Sequence, residues 1–354
     1  MAQYQPLPSG GKMKRAVGKK LGDYSKEGML EFEEVDIPEV TKDMVLIQVK
    51  AAALNLIDCK RAKGSSCQFP PIHPLSDVSG IVIAKGPDCK GDLKVGDQVV
   101  CCKYPPPSAG LAEYFVAPEN TVGPKPGGWS FVQGAALPMG MLTAQRVVEK
   151  AALTSKTKAV VIGASGNVGA YVLVLNRAIG ASILAVASGA KANYVKQVGG
   201  PTVTTCDYKT EDWSQKFDKG NPPDVVMDLS AVSPLDAYYK AIALGAKSFV
   251  TINPRKPDWV LSCCCVCSEC CWMCRIKCCA MLCCRTKYGL AMMNAQKGAG
   301  VYQNCAELAA KGHLQPMPLE SFPPKQVHMA YGAMQNAGTK TVIDLSSGIV
   351  AESE

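Results

Sequence analysis

The chain of 354 residues is poor in aromatics, with only 6% Phe, Tyr and Trp. Base-stacking platforms for single-stranded nucleic acid would have to be sparse. The 38 Lys and Arg against 30 Asp and Glu give a formal charge of +8. These basic residues are dispersed and no nucleic-acid-binding motif accompanies them, so no nucleic-acid partner is expected. The excess suits anionic cofactor phosphates or a membrane surface equally well. Only His73, His313 and His328 supply imidazoles, and no Ser/His/Asp or Cys/His hydrolytic set can be placed.

A clean run of about 18 apolar residues, enough for a membrane-spanning helix, is also missing. The nearest approach, 259–284, is interrupted by Glu269, Arg275 and Lys277. The first twenty residues, MAQYQPLPSGGKMKRAVGKK, have no apolar stretch behind their basic residues. No secretory leader is therefore expected, and a secreted disulfide scaffold is disfavoured. The expected compartment is the cytoplasm. Hydrophobic residues at 47% and charged residues at 19% exclude a largely disordered chain. The length suits roughly two domains.

Up to about residue 140 the chain reads as short strands broken by turns: 44–51 (MVLIQVKA), 80–84 (GIVIA) and 98–102 (QVVCC). From Lys158 the rhythm becomes strand–helix alternation, the signature of a parallel sheet with crossover helices. The spacing predicts strands at 159–162, 183–187, 224–228 and 248–252, and a helix over 167–179. A β-rich module followed by an α/β module is expected.

Between the first of these strands and its helix stand Gly163, Ala164, Ser165, Gly166, Asn167, Val168 and Gly169. Gly166 and Gly169 have the spacing of the last two glycines of a dinucleotide-binding turn, with Ala164 in place of the first. A small residue permits the tight turn, Gly166 admits a pyrophosphate, and Gly169 lets the helix lie close to the sheet. The pyrophosphate then meets the free N–H groups of a helix amino terminus. Taken alone, the pattern is equally a plain tight turn. Its place between strand and helix points to a nucleotide. An NAD site usually carries an acid about 20 residues on, yet 185–191 (AVASGAK) contains none. Ser188 and Lys191 offer a hydroxyl and a cation suited to a 2′-phosphate, so NADPH is favoured over NADH; the bland alternative is a solvated lysine.

Motifs quoted in order along the chain carry a resemblance. They are 53–58 (ALNLID), 74–80 (PLSDVSG), 95–99 (VGDQV), 110–114 (GLAEY), 136–144 (ALPMGMLTA), the glycine turn and 207–209 (DYK). The chain resembles the zinc-independent quinone oxidoreductase family, of the zeta-crystallin-like and chloroplast-envelope-like kind, in the medium-chain dehydrogenase/reductase superfamily. The resemblance implies an α/β fold. A GroES-like β-rich catalytic domain, 1–140 completed by 300–354, accompanies a Rossmann NADPH-binding domain at 141–299, with the nicotinamide held between them. It implies that Tyr208 joins Ser188 and Lys191 around the adenosine phosphate, that Thr143 touches the nicotinamide side, and that Lys340 approaches the cofactor from the tail. Zinc-dependent members place a cysteine where this chain has Asn55 and a Gly-His-Glu motif where it has Leu75-Ser76-Asp77, so no metal is expected. Cys59 lacks ligand partners.

Without a metal, fixed donors must stabilise the negative charge that develops on a carbonyl oxygen as hydride arrives. Asn55 and Lys60 are the candidates: an amide donor, and a cation able to donate a hydrogen bond or a proton. The bland readings are a turn-stabilising side chain for Asn55 and a solvated charge for Lys60. The expected activity is NADPH-dependent reduction of a quinone or α,β-unsaturated carbonyl.

Cysteine is the exception to the pattern of scarcity. Of 18 in the chain, 11 fall between Cys263 and Cys284. This block, at about 262–285, reads as an insertion in the Rossmann domain. Cys263, Cys267, Cys270, Cys274 and Cys278 would line one helix face. Three readings stay open: an apolar packed helix, an S-acylated segment touching a membrane peripherally, or a thiolate metal site. With the second goes an alternative function, a membrane- or vesicle-associated NADPH-binding adaptor with little turnover. A homodimer is a further open question.

Overall fold

A computed structural model of the protein describes residues 11–64, 69–104, 108–230, 234–252, 287–291, 293–337 and 340–349. The cysteine-rich block at 262–285 lies outside the described residues. In chain order the strands are β1 (Lys12–Val17), β2 (Glu31–Asp36), β3 (Met44–Ala53), β4 (Asp77–Lys85), β5 (Gln98–Cys102), β6 (Tyr114–Pro118) and β7 (Val122–Pro124). They continue with β8 (Lys158–Ile162), β9 (Ser182–Ala187), β10 (Val203–Asp207), β11 (Val225–Asp228), β12 (Ser248–Thr251), β13 (Lys287–Leu290), β14 (Leu319–Phe322) and β15 (Lys340–Asp344). The helices are α1 (Leu56–Ala62), α2 (Phe131–Ala135), α3 (Pro138–Ala151), α4 (Asn167–Ile179), α5 (Ala192–Gly199), α6 (Pro234–Leu244), α7 (Gly298–Ala310) and α8 (Val327–Ala337). The chain divides into two compact units: Met1–Leu142 with Asn294–Glu354, and Thr143–Met293.

The first unit is built on a sheet in the order β14-β15-β3-β4-β5-β7, with β6 also paired to β3. All its pairings are antiparallel except β14 with β15. Its core gathers Val45, Ile47, Val49, Leu54, Val78, Val82, Val99 and Phe115, with Tyr331 and Ile343 from the tail. The tail is thus an integral layer of this unit, as β15 pairs with β3 in the register Val342↔Ala53 and Asp344↔Ala51.

The second unit is a parallel sheet in the order β10-β9-β8-β11-β12-β13. This is the doubly wound arrangement, whose strand order reverses between β8 and β11. Strands covered on both faces read as continuous apolar runs, and Ala159, Val160, Val161, Val225, Val226 and Met227 are all buried. Helix α4 ends where Gly180 adopts a left-handed conformation, φ 82°, the usual glycine helix stop.

Candidate active site

In the first unit the ends of three strands bring distant polar side chains together. Asn55 follows β3 and caps α1 from an extended conformation. Antiparallel pairing places Asp77, first residue of β4, opposite Ala53. The register of β15 against β3 carries Lys340 to the level of Asn55. The contacts follow from that register. The Asn55 amide donates from Nδ2 to Asp77 Oδ2 at 2.9 Å, and its Oδ1 accepts from Lys340 Nζ at 2.7 Å. Lys340 Nζ also donates to the Leu54 carbonyl at 2.9 Å and lies 3.6 Å from Asp77 Oδ2. The backbone N–H of Met139, in the first turn of α3, donates to both Asp77 oxygens at 3.2 and 3.1 Å.

Asp77 is wholly buried, and Asn55 and Lys340 are 8% and 5% exposed. A buried charge is tolerated when it is paired and hydrogen-bonded. Burial pushes the Asp77 carboxyl up, against the pull of Lys340 and Asn55. Burial pushes the Lys340 ammonium down, opposed chiefly by Asp77.

A second buried set lies behind α1. Asp58 Oδ2 accepts the Asn55 backbone N–H at 2.9 Å, while Arg61 Nη1 stands 3.6 Å from Asp58 Oδ1. Arg61 also donates to Ser76 Oγ at 3.4 Å, and Ser76 bonds Ser108 at 3.0 Å. Burial raises Asp58 to about 6, with Arg61 pulling the other way. Lys60 stands in the last turn of α1 and is half-buried.

In the second unit the turn at 163–169 lies after β8, at the point where the strand order reverses. Its backbone demands small residues. Gly163 has φ +79°, and a methyl carbon on Gly169 would fall 2.2 Å from the Gly163 oxygen and 2.8 Å from Ala164 Cα. Gly163 and Ala164 donate their N–H groups to the Val186 carbonyl at 3.1 and 3.2 Å. Gly166 is the extended N-cap of α4, so the first N–H groups of α4 lack intrahelical acceptors. Asn167 Oδ1 is buried without a hydrogen-bond partner. A turn kept bare at Gly163, Gly166 and Gly169, opening on a helix amino terminus, fits a nucleotide pyrophosphate. Ser188 follows β9 directly and Lys191 is exposed three residues on, its N–H returning to the Ser188 carbonyl at 2.8 Å. Tyr208, after β10, is 61% exposed. Thr143 lies half-buried on α3.

The structure thus gathers Asn55 with Lys340, and the whole turn with Ser188 and Tyr208 on adjacent strand ends. Lys340 is engaged with Asn55, Leu54 and Asp77. Sequence reasoning missed Asp77, Asp58 and Arg61 as members of the site. One signal was available for Asp77: an acid opening a mostly apolar strand buried at its first seven positions needs a partner.

Residues 41–127 match the alcohol dehydrogenase GroES-like domain. The chain is 34% identical over 237 residues to the NADPH-dependent alkenal/one oxidoreductase, chloroplastic, of Arabidopsis thaliana, covering 64% of this chain and 59% of the relative. It therefore spans less than two thirds of that plant relative. It is 30% identical over 266 residues to the quinone oxidoreductase of Rattus norvegicus, covering 70% of this chain and 78% of the relative. The solved structure of the quinone oxidoreductase from Coxiella burnetii superposes with a TM-score of 0.76 at 22% identity, covering 94% of this chain and 99% of the other. The fold is that of a Rossmann domain with a GroES-like β-rich domain, and the chain belongs to the quinone oxidoreductase family of the medium-chain dehydrogenase/reductase superfamily.

Proposed function

We propose that the protein is a zinc-independent, NADPH-dependent reductase of quinones or α,β-unsaturated carbonyls. The observation that carries this reading is the glycine-rich turn at 163–169, set at the strand-order reversal of a doubly wound sheet. When bound, a nicotinamide nucleotide supplies the hydride. The unpaired N–H groups at the start of α4 hold the pyrophosphate, with Gly166 and Gly169 keeping the approach clear. Ser188 and Lys191 give a hydroxyl and a cation to the 2′-phosphate, Tyr208 covers the adenosine end, and Thr143 serves the nicotinamide side. The Arabidopsis relative is named for NADPH and for alkenals and enones, and the rat relative for quinones.

In the first unit, Asn55 keeps one amide hydrogen beyond the one given to Asp77, available to an oxygen on which negative charge develops. Lys340 bonds the other end of the same amide, which polarises it toward stronger donation. Lys340 thus acts through Asn55. Asp77 and Asp58 fix the orientation of Asn55 from its side chain and its backbone, and Lys60 is the proposed proton donor.

The test is oxidation of NADPH by the purified protein, dialysed against EDTA, with a panel of quinones and enones. Saturable turnover that survives chelation is expected. No turnover with any acceptor, although NADPH binds, would remove the enzymatic reading; activity that disappears with EDTA and returns with zinc would remove the metal-free one.

A further inference from the structure

The loop after β9, Ser188 to Lys191, contains no acid in its own sequence, but the fold supplies one from the next strand. Strand β10 pairs in parallel with β9 through the register Asp207↔Ala187. A methyl carbon on Gly189 would lie 2.5 Å from Asp207 Oδ2. The carboxylate therefore rests against the bare Cα of Gly189, within the turn that presents Ser188 and Lys191. Asp207 Oδ1 is fixed by the backbone N–H of Lys209 at 3.0 Å, and the Asp207 N–H donates to Glu211 Oε1 at 3.2 Å. Glu211 is itself paired with Lys216. Among the described residues, Oδ2 has no donor.

In doubly wound nucleotide-binding domains, an acid at the end of the second strand accepts hydrogen bonds from the ribose hydroxyls, and a cation there accommodates a 2′-phosphate. This loop carries both chemistries, the cation from Lys191 and the carboxylate from the third strand. We infer that Asp207 is a specificity-determining residue for the nucleotide: its carboxylate accepts from a free ribose hydroxyl and repels a 2′-phosphate. The preference for NADPH over NADH is therefore narrow. The inference rests on the cofactor reading proposed above. It differs from the expectation drawn from 185–191 alone, where the absence of an acid pointed to NADPH without opposition.

The experiment is calorimetric titration of the full chain with NADPH and with NADH, in the wild type, Asp207→Asn and Gly189→Ala. Asp207→Asn keeps the oxygen that accepts from Lys209 and removes only the charge. Gly189→Ala forces the flexible tip of Asp207 away from the loop while leaving its charge in place. Wild-type dissociation constants for the two nucleotides should lie within about tenfold of each other, and Asp207→Asn should move their ratio toward NADPH by about fivefold to tenfold, the scale of one partly screened charge contact. Gly189→Ala should move the ratio in the same direction by less. Binding of both nucleotides with a ratio that Asp207→Asn leaves unmoved, or moves toward NADH, overturns the inference alone. Failure of the wild type to bind either nucleotide overturns it together with the cofactor reading beneath it.

Discussion

The two units reach polar function by opposite means. The first concentrates charged side chains, Asp58, Arg61, Asp77 and Lys340, in positions that water scarcely reaches. Each is tolerable only because the others, with Asn55 and the Met139 N–H, satisfy it. The second unit, in the proposed function, keeps Gly163, Gly166 and Gly169 bare so that backbone N–H groups can meet an anion. A charge-built site depends on contacts between residues far apart in sequence, 285 positions between Asn55 and Lys340. A backbone-built site is complete within seven consecutive residues. The first should fail by uncompensated charge and the second by steric intrusion, and substitutions can be chosen to separate the two.

The largest effect is expected at Lys340. Replacing it by Met leaves Asp77 buried with neutral partners only and no cation, and breaking a buried pair from one side costs about 3–5 kcal/mol. Urea unfolding of Lys340→Met should show that loss, and adding Asp77→Asn should recover part of it. If Lys340→Met unfolds like the wild type, the cluster is effectively solvated and the contrast between the units dissolves. Next in size is Gly169→Ala. Its added carbon collides with backbone, the Gly163 oxygen at 2.2 Å and Ala164 Cα at 2.8 Å, so the turn itself must move. Overpacking of this kind costs about 1–3 kcal/mol, and NADPH binding measured by titration should weaken with it. Gly166→Ala is the internal control, because its carbon would meet only the Gly163 oxygen at 3.3 Å. Its stability loss should stay within about 1 kcal/mol, the scale of an altered N-cap.

The same contrast explains what could be read from the sequence. Strands β3, β5, β8, β9, β11 and β12 and helix α4 stand where apolar runs and helical spacing place them, since local pattern decides them. The glycine turn was legible for the same reason: the positive φ of Gly163 and the close backbone at Gly169 leave glycines in the sequence at fixed spacing. The Asn55 cluster left no such trace. Its members come from β4, β15, α1 and the start of α3, and only the antiparallel register of β3 against both β4 and β15 aligns them. Lys60 shows the converse: it stands two residues from buried Asp58 on the same helix, yet is itself half-exposed. Asp207 was hidden in yet another way, because the parallel register of β10 against β9 brings it to a loop 18 residues earlier.

A smaller and pH-dependent effect belongs to Asp58. Its carboxyl is raised from 3.8 to about 6 in the folded protein, chiefly by burial. Between those values the folded state binds a proton that the unfolded state has lost, so the contribution of this group to stability falls as pH rises through that window. Above about pH 6 both states are ionised and the penalty is complete. Asp58→Asn removes the titration while keeping an oxygen for the Asn55 N–H. Subtracting its urea-unfolding profile from that of the wild type, between pH 4 and 7, should leave a decline approaching about 1.4 kcal/mol per pH unit. A flat difference would place Asp58 in a watery setting and align the first unit with ordinary surface electrostatics.

The smallest effect comes from the same chemistry in the open. Lys12 on β1 faces Asp36 on β2 at 2.6 Å, a shorter contact than that of Lys340 with Asp77 at 3.6 Å. The side chains of Lys12 and Asp36 are 55% and 83% exposed, against 3% and 0% for the buried pair. Water and salt screen the exposed pair, and little is lost when it is broken, because each partner is rehydrated. Lys12→Met should therefore leave the urea midpoint unresolved from the wild type, and raising the salt concentration should not change that result, whereas Lys340→Met should remain destabilised at every salt concentration. Were Lys12→Met to cost as much as Lys340→Met, separation rather than burial would govern these pairs, and the first unit would owe its fragility to contact geometry instead of dehydration.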